Sequence, residues 1–294
     1  MRDSTVEGEK AEQGEKIRYT ETQQNRLKEL GFAAEDQESL FSGREERDAK
    51  FREMEREGMR RNKICLTGLL QKKHRPELAL LEDALVRALT ASGFTQVMTP
   101  TIISSRALDK MSITAGDALR KQVFWLDENT CLRPMLAPNL YEVSRKLMNS
   151  QPLPMRIFEV GSCFRKESEG NIHLKEFTML NLVEWGTPME QRNEHLREFA
   201  SLVMKAAGIT DYHLEDETSV VYGKGIDVTG SNGLELASSS MGPHPLDAAW
   251  KVTCTWTGIG FGLERLLMYR EKANGIHRYS RSNVFLDGAA LKVR

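Results

Sequence analysis

The chain has 294 residues, of which 40% are hydrophobic and 28% charged, a balance typical of a soluble globular protein with one large domain and appendages. Its formal net charge of −1 excludes a global field that would attract a polyanion, so any nucleic-acid surface must be a local patch. The four scattered cysteines lack zinc spacing, and no apolar run approaches a membrane span, so we expect a cytoplasmic protein with reduced thiols.

The N-terminal region predicts helices with little core. Residues 1–16 have almost no apolar side chains to bury, so we expect a disordered tail. Thr20 then supplies an N-cap for a short helix that Gly31 ends. The stretch from 42 to 73 predicts one or two charged helices.

Three arginines recur at a spacing of four in this charged stretch: Arg52, Arg56 and Arg60. Like charges at that spacing repel on a helix, so an anionic partner would explain the row. Glutamates are interleaved with the arginines, however, and a solvated helix face explains the pattern equally well.

The catalytic core is predicted to begin near Arg75 with an amphipathic helix whose leucines recur at helical spacing. A strand follows that Pro100 interrupts, and then a β-hairpin around Glu128–Asn129. The remaining segments predict, in order, the helix APNLYEVSRKLMN, the strand pair MRIFEVGSCFRKES and KEFTMLNLVEWG, the helix HLREFASLVMKAAG, the strands TSVVYGKGIDV and GLELASSSMG, and TWTGIGFGLERLLMYREK, a strand that runs into a helix. Strands joined by hairpins and flanked by helices predict an α+β fold with an antiparallel sheet, not a Rossmann or P-loop fold.

Polar and aromatic groups stand at both ends of the connection FRKESEGNIHLKEF. Arg165 has a planar fork of donors suited to phosphate oxygens, and Glu167 faces the same side of an extended chain, where it can accept from an amine. His173 could bind a further phosphate and Phe177 could stack on a base. A surface hairpin with incidental salt bridges is the alternative interpretation.

A glycine row precedes the last long helix. Gly258, Gly260 and Gly262 alternate along one strand and clear one face of side chains, which indicates close approach by a ligand or a backbone. Arg265 follows at the start of the helix, beside that face. The spacing differs from the G-x-G-x-x-G of dinucleotide folds, and close helix–strand packing is the alternative.

Two further patterns carry chemistry. Glu235 and Ser238 end a strand with hard oxygen atoms, which suit Mg²⁺ shared with ligand phosphates, although they also fit a strand with polar ends. Asn181 would share a strand face with Met179 and Val183, and a buried amide must find partners, of which a ligand carbonyl can be one.

Together these motifs resemble a known family. The helix–strand–Pro100 segment, FRKE and GIGFGLER occur in the order of motifs 1, 2 and 3 of class II aminoacyl-tRNA synthetases. The blocks LRPMLAPNLY, FEVGSCFRKES, HLKEFTMLNL, SVVYGKGIDV, LELASS and GFGLERLL resemble the catalytic domain of the pyrrolysyl-tRNA synthetase family, from about Arg18 to Val293. The resemblance implies the class II catalytic fold, an antiparallel sheet flanked by helices. It also implies ATP- and Mg²⁺-dependent charging of tRNA(Pyl) with pyrrolysine through an aminoacyl-adenylate, by a homodimer.

The resemblance assigns the ATP site residue by residue. Arg165 and Arg265 would be catalytic and hold the α- and γ-phosphates. The other implied contacts are Glu167 on the adenine amino group, His173 on the terminal phosphates, Phe177 stacked on adenine, and Glu235 and Ser238 at Mg²⁺.

For the amino acid, the resemblance implies an apolar pocket over which Tyr222 closes. Asn181 would bond the side-chain amide carbonyl, and Arg133 would help to hold the α-amino acid backbone. The implied walls are Ala137, Leu140, Tyr141, Ser144, Met179, Val183, Trp256 and Gly258. The apolar members of this set are also consistent with plain core.

The chain departs from the family in three ways. It lacks the extra basic N-terminal domain of many archaeal relatives, so whether a separate tRNA-binding protein assists is open. Residues 17–74 are interpreted as a helical tRNA-contacting extension before the catalytic domain, 75–294. Ser144 replaces a bulky apolar residue, and Ile259 stands where a smaller residue is common. Another class II substrate, such as phenylalanine or a lysine derivative, and a non-catalytic tRNA-binding paralogue remain alternatives, although a paralogue would be expected to lose the ATP arginines.

Overall fold

The computed structural model describes residues 16–166, 172–219 and 223–294, so all of the predicted tail except Lys16 lies outside the described residues. The chain divides into two compact units, Met1–Lys72 with Ala289–Arg294, and Lys73–Gly288. The division after Lys72 falls close to the predicted start of the catalytic domain, whereas the last residues group with the N-terminal unit. Across the described ranges, no helix combines the length and apolarity needed to cross a membrane.

The first unit is built on one long helix. Its elements are β1 (Ile17–Arg18), α1 (Glu21–Glu29), α2 (Ala34–Gln37), β2 (Leu40–Phe41), α3 (Arg44–Gln71) and a strand at Ala289–Ala290. The predicted cap of α1 is confirmed, because the Thr20 hydroxyl accepts from the Gln23 amide while the Gln23 side chain accepts from the Thr20 amide. The charged stretch forms a single helix, α3.

A notch in α3 receives the chain that follows α1. A Cβ atom on Gly58 would lie 2.9 Å from Leu30 Cβ, so only glycine allows this approach. Asn62, one turn later, is buried and donates to the Leu30 and Gly58 carbonyl oxygens, and its own oxygen accepts from the Ala290 amide. Backbone groups that packing would otherwise leave unpaired are satisfied by this one side chain.

The second unit contains the rest of the secondary structure. Its helices are α4 (Glu77–Ala91), α5 (Ser105–Lys110), α6 (Ala118–Lys121), α7 (Ala137–Leu147), α8 (Arg192–Ala206), α9 (Asp247–Trp250) and α10 (Leu263–Arg270), with 3₁₀ turns at Met189–Gln191 and Ile276–Tyr279. Its strands are β3 (Thr95–Gln96), β4 (Ile102–Ser104), β5 (Thr130–Leu132), β6 (Met155–Phe164), β7 (Glu176–Trp185), β8 (Tyr212–Ser219), β9 (Gly223–Gly230), β10 (Glu235–Gly242), β11 (Trp256–Gly262) and β12 (Phe285–Leu286).

A seven-stranded sheet organises this unit, in the order β3-β6-β7-β11-β10-β9-β8. Only the short β3 runs parallel to its neighbour, β6, and the other pairs are antiparallel. The predicted α+β fold, an antiparallel sheet flanked by helices, is therefore confirmed.

The two faces of the sheet have different roles. One face packs under α4, α8 and α10 in a continuous apolar core that includes Leu182, Ile259 and Phe261. Because side chains alternate along a strand, the residues between these belong to the opposite face. That face carries Asn181, Val183 and the glycines of β11, and it forms the floor of the cavity described below.

Three short-strand predictions are wrong. The hairpin around Glu128–Asn129 is reduced to a turn with one bridge, Trp125 to Cys131, because Asp127 accepts from the amides of Asn129 and Thr130, while β5 pairs with β4. The predicted strand around Pro100 is reduced to the two residues of β3 in the main sheet. The residues after the proline form β4, which pairs with β5 outside that sheet. TSVVYGKGIDV contributes to two strands, β8 and β9, whose register reaches Ser219 opposite Gly223.

Candidate active site

A cavity of about 280 Å³ lies over the face of the sheet opposite α8. Cross-strand rows fix the order of its floor: Trp185 pairs with Trp256, Val183 with Gly258, and Asn181 with Gly260. Ser240 and Ser238 of β10 continue the second and third rows. The floor therefore grades from aromatic at one end to polar at the other.

The glycine row gives this floor its shape. A Cβ atom on Gly260 would lie 2.3 Å from Asn181 Oδ1, so glycine is required there for the asparagine side chain to lie across β11. At Gly258 a Cβ atom would have the Leu182 carbonyl oxygen 3.2 Å away, and the open surface faces the cavity. In this row, Gly260 makes room for the Asn181 side chain, and Gly258 leaves the cavity floor without a side chain.

Arg165, His173 and Phe177, which the sequence predicts as site residues, all line the polar end of the cavity. Arg165 Nε donates to the Pro134 carbonyl oxygen at 3.0 Å, and its guanidinium carbon lies 5.3 Å from the centre of the Phe177 ring. Because Nε is anchored in this way, the orientation of the guanidinium is fixed and its Nη donors remain available for a ligand. Glu167 lies outside the described residues.

Glu235, Ser238 and Arg265 line the same end. Arg265 Nη1 donates to the Glu235 carbonyl oxygen at 3.1 Å and lies 3.4 Å from its carboxylate. Glu235 is well exposed and Ser238 is half-buried. One cationic and two oxygen-bearing side chains therefore face Arg165 and His173 across a shared space.

The opposite end is an aromatic cluster, Tyr141, Trp185, Trp250 and Trp256. The buried Asp247 carboxylate holds two members, since it accepts from the Tyr141 hydroxyl at 2.9 Å and from Trp256 Nε1 at 3.0 Å. Asp247 was missed by the sequence analysis, and no local pattern marks it. Seven of the residues that the resemblance implies for the amino-acid pocket line the cavity: Ala137, Leu140, Tyr141, Met179, Val183, Trp256 and Gly258.

Arg133 is not among the residues that line the cavity. Its guanidinium is buried, forms a 2.7 Å ion pair with Glu159, and donates to the Ser162 carbonyl oxygen at 2.8 Å and to Thr99. A buried pair with this many protein partners is committed to structure. Arg133 therefore braces β6, the strand that leads to Arg165.

The two departures from the family pattern are both buried, and of the two only Ile259 belongs to the lining of the cavity. Ser144 is completely buried on α7, and its hydroxyl has no hydrogen-bond partner among the described residues. The Ile259 side chain is 2% exposed and packs in the core under the helices, on the other face of the sheet. Ile259 therefore does not narrow the pocket with its side chain. Tyr222 lies outside the described residues.

Glu264, which the sequence did not single out, joins two walls at the polar end of the cavity. It is 1% exposed, and both its oxygens accept from the Thr178 amide at 2.9 Å. Burial raises the pKa of the Glu264 carboxyl above its ordinary value, although the Thr178 hydrogen bonds oppose this shift. Because Thr178 follows Phe177 and Glu264 precedes Arg265, this contact fixes β7 against α10.

Comparison with protein families points to tRNA ligases. A model described as the phenylalanyl tRNA synthetase beta chain CLM domain matches residues 65–223. The chain is 28% identical over 109 residues to the phenylalanine–tRNA ligase beta subunit of Syntrophus aciditrophicus (strain SB), which is 36% of this chain and 14% of that protein. It is 29% identical over 99 residues to the threonine–tRNA ligase of Wolbachia pipientis subsp. Culex pipiens (strain wPip), which is 32% of this chain and 15% of that protein. The match thus spans a small part of these curated relatives.

Comparison with solved structures covers nearly the whole chain. The crystal structure of pyrrolysyl-tRNA synthetase from Desulfitobacterium hafniense superposes with a TM-score of 0.88 at 50% sequence identity, over 94% of this chain and 98% of that one. A structure of PylSc, a pyrrolysyl tRNA synthetase from the same organism, superposes with a TM-score of 0.87, also at 50% identity, over 93% and 95% of the two chains.

Proposed function

The chain belongs to the pyrrolysyl-tRNA synthetase family of class II aminoacyl-tRNA ligases, and we propose that it charges tRNA(Pyl) with pyrrolysine or a close analogue. One observation carries the proposal: a single cavity joins the phosphate-type donors Arg165 and Arg265 to an aromatic pocket in which Asn181 presents an amide. An activating enzyme needs both sites within reach of one reacting carboxylate.

ATP occupies the polar end in this proposal. The anchored Arg165 holds the α-phosphate, where charge develops in the transition state, and Arg265 holds the γ-phosphate from the other wall. His173 contacts the terminal phosphates, and adenine stacks on Phe177, whose opposite face is near the Arg165 guanidinium. Glu167, which we assign to the adenine amino group, remains a prediction.

Glu235 and Ser238 fit a Mg²⁺ site. A carboxylate and a hydroxyl on one cavity wall are hard oxygen ligands of the kind that Mg²⁺ shares with nucleotide phosphates and water. When bound there, Mg²⁺ would neutralise phosphate charge. Arg265 lies beside the Glu235 carboxylate and contributes positive charge to the same wall.

The amino-acid side chain extends from the nucleotide toward the aromatic end. Asn181 donates to the amide carbonyl of the substrate side chain, and Leu140, Tyr141, Val183 and Trp256 cover its apolar atoms. Tyr222 is assigned to close over the substrate. Phenylalanine is the second candidate, which the phenylalanine–tRNA ligase matches favour. A pocket for a purely apolar side chain would leave the Asn181 amide without a ligand partner, which counts against this candidate.

The chemistry requires no protein nucleophile. The carboxylate of the amino acid attacks the α-phosphorus of ATP, and pyrophosphate leaves with the electron pair of the bond that breaks. A terminal ribose hydroxyl of the tRNA then attacks the carbonyl carbon of the aminoacyl-adenylate, and AMP leaves. The protein positions the reactants and offsets the developing charge with Arg165 and Arg265.

The assembly remains part of the proposal. We assign the exposed arginine face of α3 to tRNA contact, with or without a separate tRNA-binding protein, in the cytoplasm. Met98 and Ile102 flank Pro100 and are 89% and 54% exposed, and two large apolar side chains on the motif 1 segment support a homodimer.

Amino-acid-dependent exchange of pyrophosphate into ATP tests the substrate directly. Wild-type protein should catalyse exchange with pyrrolysine, and Arg165→Ala should reduce it by about 100-fold or more, since an arginine on developing charge is typically worth several kcal/mol. Circular dichroism of the variant checks that the fold is retained. Robust exchange with phenylalanine and none with pyrrolysine would contradict the substrate assignment.

A further inference from the structure

Trp185, at the aromatic end of the cavity, has a buried indole N–H donor without a protein partner among the described residues. Its side chain is 2% exposed and lines the cavity, and its Nε1 makes no hydrogen bond within the described part of the chain. Buried polar groups in native proteins nearly always have a partner, so a buried donor that has none among the described protein atoms is a candidate to bond a ligand atom.

The two other donors of the aromatic cluster that line the cavity are already hydrogen-bonded. Tyr141, whose ring centre is 5.4 Å from that of Trp185, donates its hydroxyl to Asp247, and Trp256, at 5.5 Å, donates Nε1 to the same carboxylate. Three rings of the cluster line the cavity, and Asp247 orients two of them, Tyr141 and Trp256. Trp185 is the third, and its donor has no hydrogen-bond partner among the described residues. Because the other two donors are bonded to Asp247, Trp185 is the ring of the three from which we expect a hydrogen bond to the substrate.

Position along β7 indicates which substrate atom would reach Trp185. Asn181 and Trp185 lie on the same face of the strand. They are four residues apart, so their Cα atoms are about 13 Å from each other. A side chain whose amide meets Asn181 therefore sends its distal group toward Trp185. An acceptor on that group would accept a hydrogen bond from the indole N–H. A hydrocarbon there would exclude water from the N–H and leave it without a hydrogen bond.

We propose that Trp185 is a specificity-determining residue whose indole N–H donates to an acceptor on the distal part of the substrate side chain. The pocket then selects lysine derivatives that carry an acceptor beyond the amide over matched hydrocarbons. This inference rests on the proposed function and narrows its substrate class. A site built to bond a substrate atom discriminates against the analogue that lacks it.

Two lysine derivatives that differ by one ring atom test the inference. Nε-(tetrahydrofuran-2-carbonyl)-lysine offers a ring oxygen where Nε-(cyclopentanecarbonyl)-lysine has a methylene group. In pyrophosphate exchange, the wild-type kcat/KM should be about tenfold higher for the oxygen compound, the value of one hydrogen bond to a buried donor. Trp185→Phe should bring the ratio of the two values close to one, whatever its effect on each.

Trp250→Phe is the matched control. Trp250 is equally buried, its Nε1 also lacks a partner among the described residues, and its ring stacks on Tyr141, yet it does not line the cavity. The same chemical change there should leave the tenfold ratio intact. A loss of the ratio in both variants would indicate a general repacking of the cluster and overturn the role of Trp185.

A spectroscopic measurement on the unaltered protein keeps the test independent of variant folding. The chain has four tryptophans, so the indole N–H signals in a ¹H–¹⁵N spectrum can be assigned individually. The Trp185 signal should shift downfield with the oxygen compound and not with the hydrocarbon. Equal use of both compounds, a ratio retained in Trp185→Phe, or an unmoved Trp185 signal would overturn the inference alone. No exchange with pyrrolysine or either compound would overturn the proposed function itself.

Discussion

Single side chains connect residues that we assign to different parts of one reactant. Glu264 is the clearest case, because its buried carboxylate accepts from both the amide and the hydroxyl of Thr178. Arg281 donates to the Thr178 hydroxyl at 2.8 Å and lies 3.8 Å from Glu264. The residues on either side, Phe177 and Arg265, are those we assign to adenine and the γ-phosphate. A buried carboxylate thus sets the spacing of the two residues that we assign to ATP and is not itself one of the assigned contacts.

Glu264→Gln tests the energetic cost of this arrangement. Because burial raises the folded-state pKa of Glu264 above its ordinary value of 4.5, the folded protein holds the proton more tightly than the unfolded chain. Raising the pH between these two pKa values therefore costs stability, and the full cost remains above the folded-state pKa. The glutamine variant lacks this cost, so the free energy of unfolding of wild type minus that of the variant should fall across the window and then level off. Urea unfolding of both proteins at a series of pH values from 4 to 8 measures it, and a difference that rises with pH would contradict the assignment.

The sequence predicted some residues of the site and missed others for a physical reason. Asn181 was predictable because a polar side chain alternates with apolar ones on a long strand, and the register places it on the cavity face. Asp247 and Trp185 carry no such local signal, since their importance depends on which donors they meet across the cluster. Arg133 illustrates the converse, because the family resemblance assigned it to the substrate backbone while Glu159 pairs with it inside the protein.

At the scale of elements, α3 shows how packing decides the value of a glycine. Gly58 and Gly68 lie in the same helix, and glycine in a helix interior generally costs stability relative to alanine. A Cβ atom at Gly58 would meet Leu30 and Phe32 at 2.9 Å, whereas none of the described atoms lies within 4 Å of one at Gly68. The same residue is thus required at one site and dispensable at the other.

Two alanine substitutions in α3 should have opposite effects. Gly68→Ala should stabilise the helix by about 0.5–1 kcal/mol, because alanine restricts the unfolded chain and fits the open site. Gly58→Ala should destabilise by about 1–3 kcal/mol, because the added methyl group overpacks the contact with Leu30. Urea unfolding followed by the helical circular dichroism signal measures both, and each variant is the control for the other. Equal effects would show that the notch at Gly58 is loosely packed.

Long periodic elements were predicted well, and short ones were not. The helices α4, α7 and α8 and the strands β6, β7 and β11 repeat a period often enough to define their type, and their arrangement as an antiparallel class II sheet is confirmed. The strands β3, β4 and β5 have two or three residues each, so their pairing is decided by distant partners. Asp127, whose carboxylate closes a turn in place of a hairpin, exemplifies a local contact that overrides alternation.

At the scale of the whole molecule, the near-zero net charge conceals a local basic face. Arg52, Arg56 and Arg60 are all exposed on α3, although Arg60 is paired with Glu57 at 2.9 Å. A solvated face and a tRNA-binding face are the two interpretations of this row. They differ in how binding depends on salt, because only arginines that neutralise phosphates release counterions.

Replacing these arginines should separate the two interpretations. If the row contacts tRNA, the combined change of Arg52, Arg56 and Arg60 to alanine should weaken tRNA(Pyl) binding and flatten the plot of log affinity against log salt concentration by about 0.7–0.9 for each phosphate that an arginine no longer neutralises. Filter binding over a salt range of roughly 50–300 mM measures the slope. Arg197→Ala is the matched control, since this exposed arginine lies on α8, the helix that packs on the sheet face opposite the cavity. An unchanged slope in the triple variant, with charging intact, would assign the row to solvent and leave the recognition of tRNA to the second unit or to a separate protein.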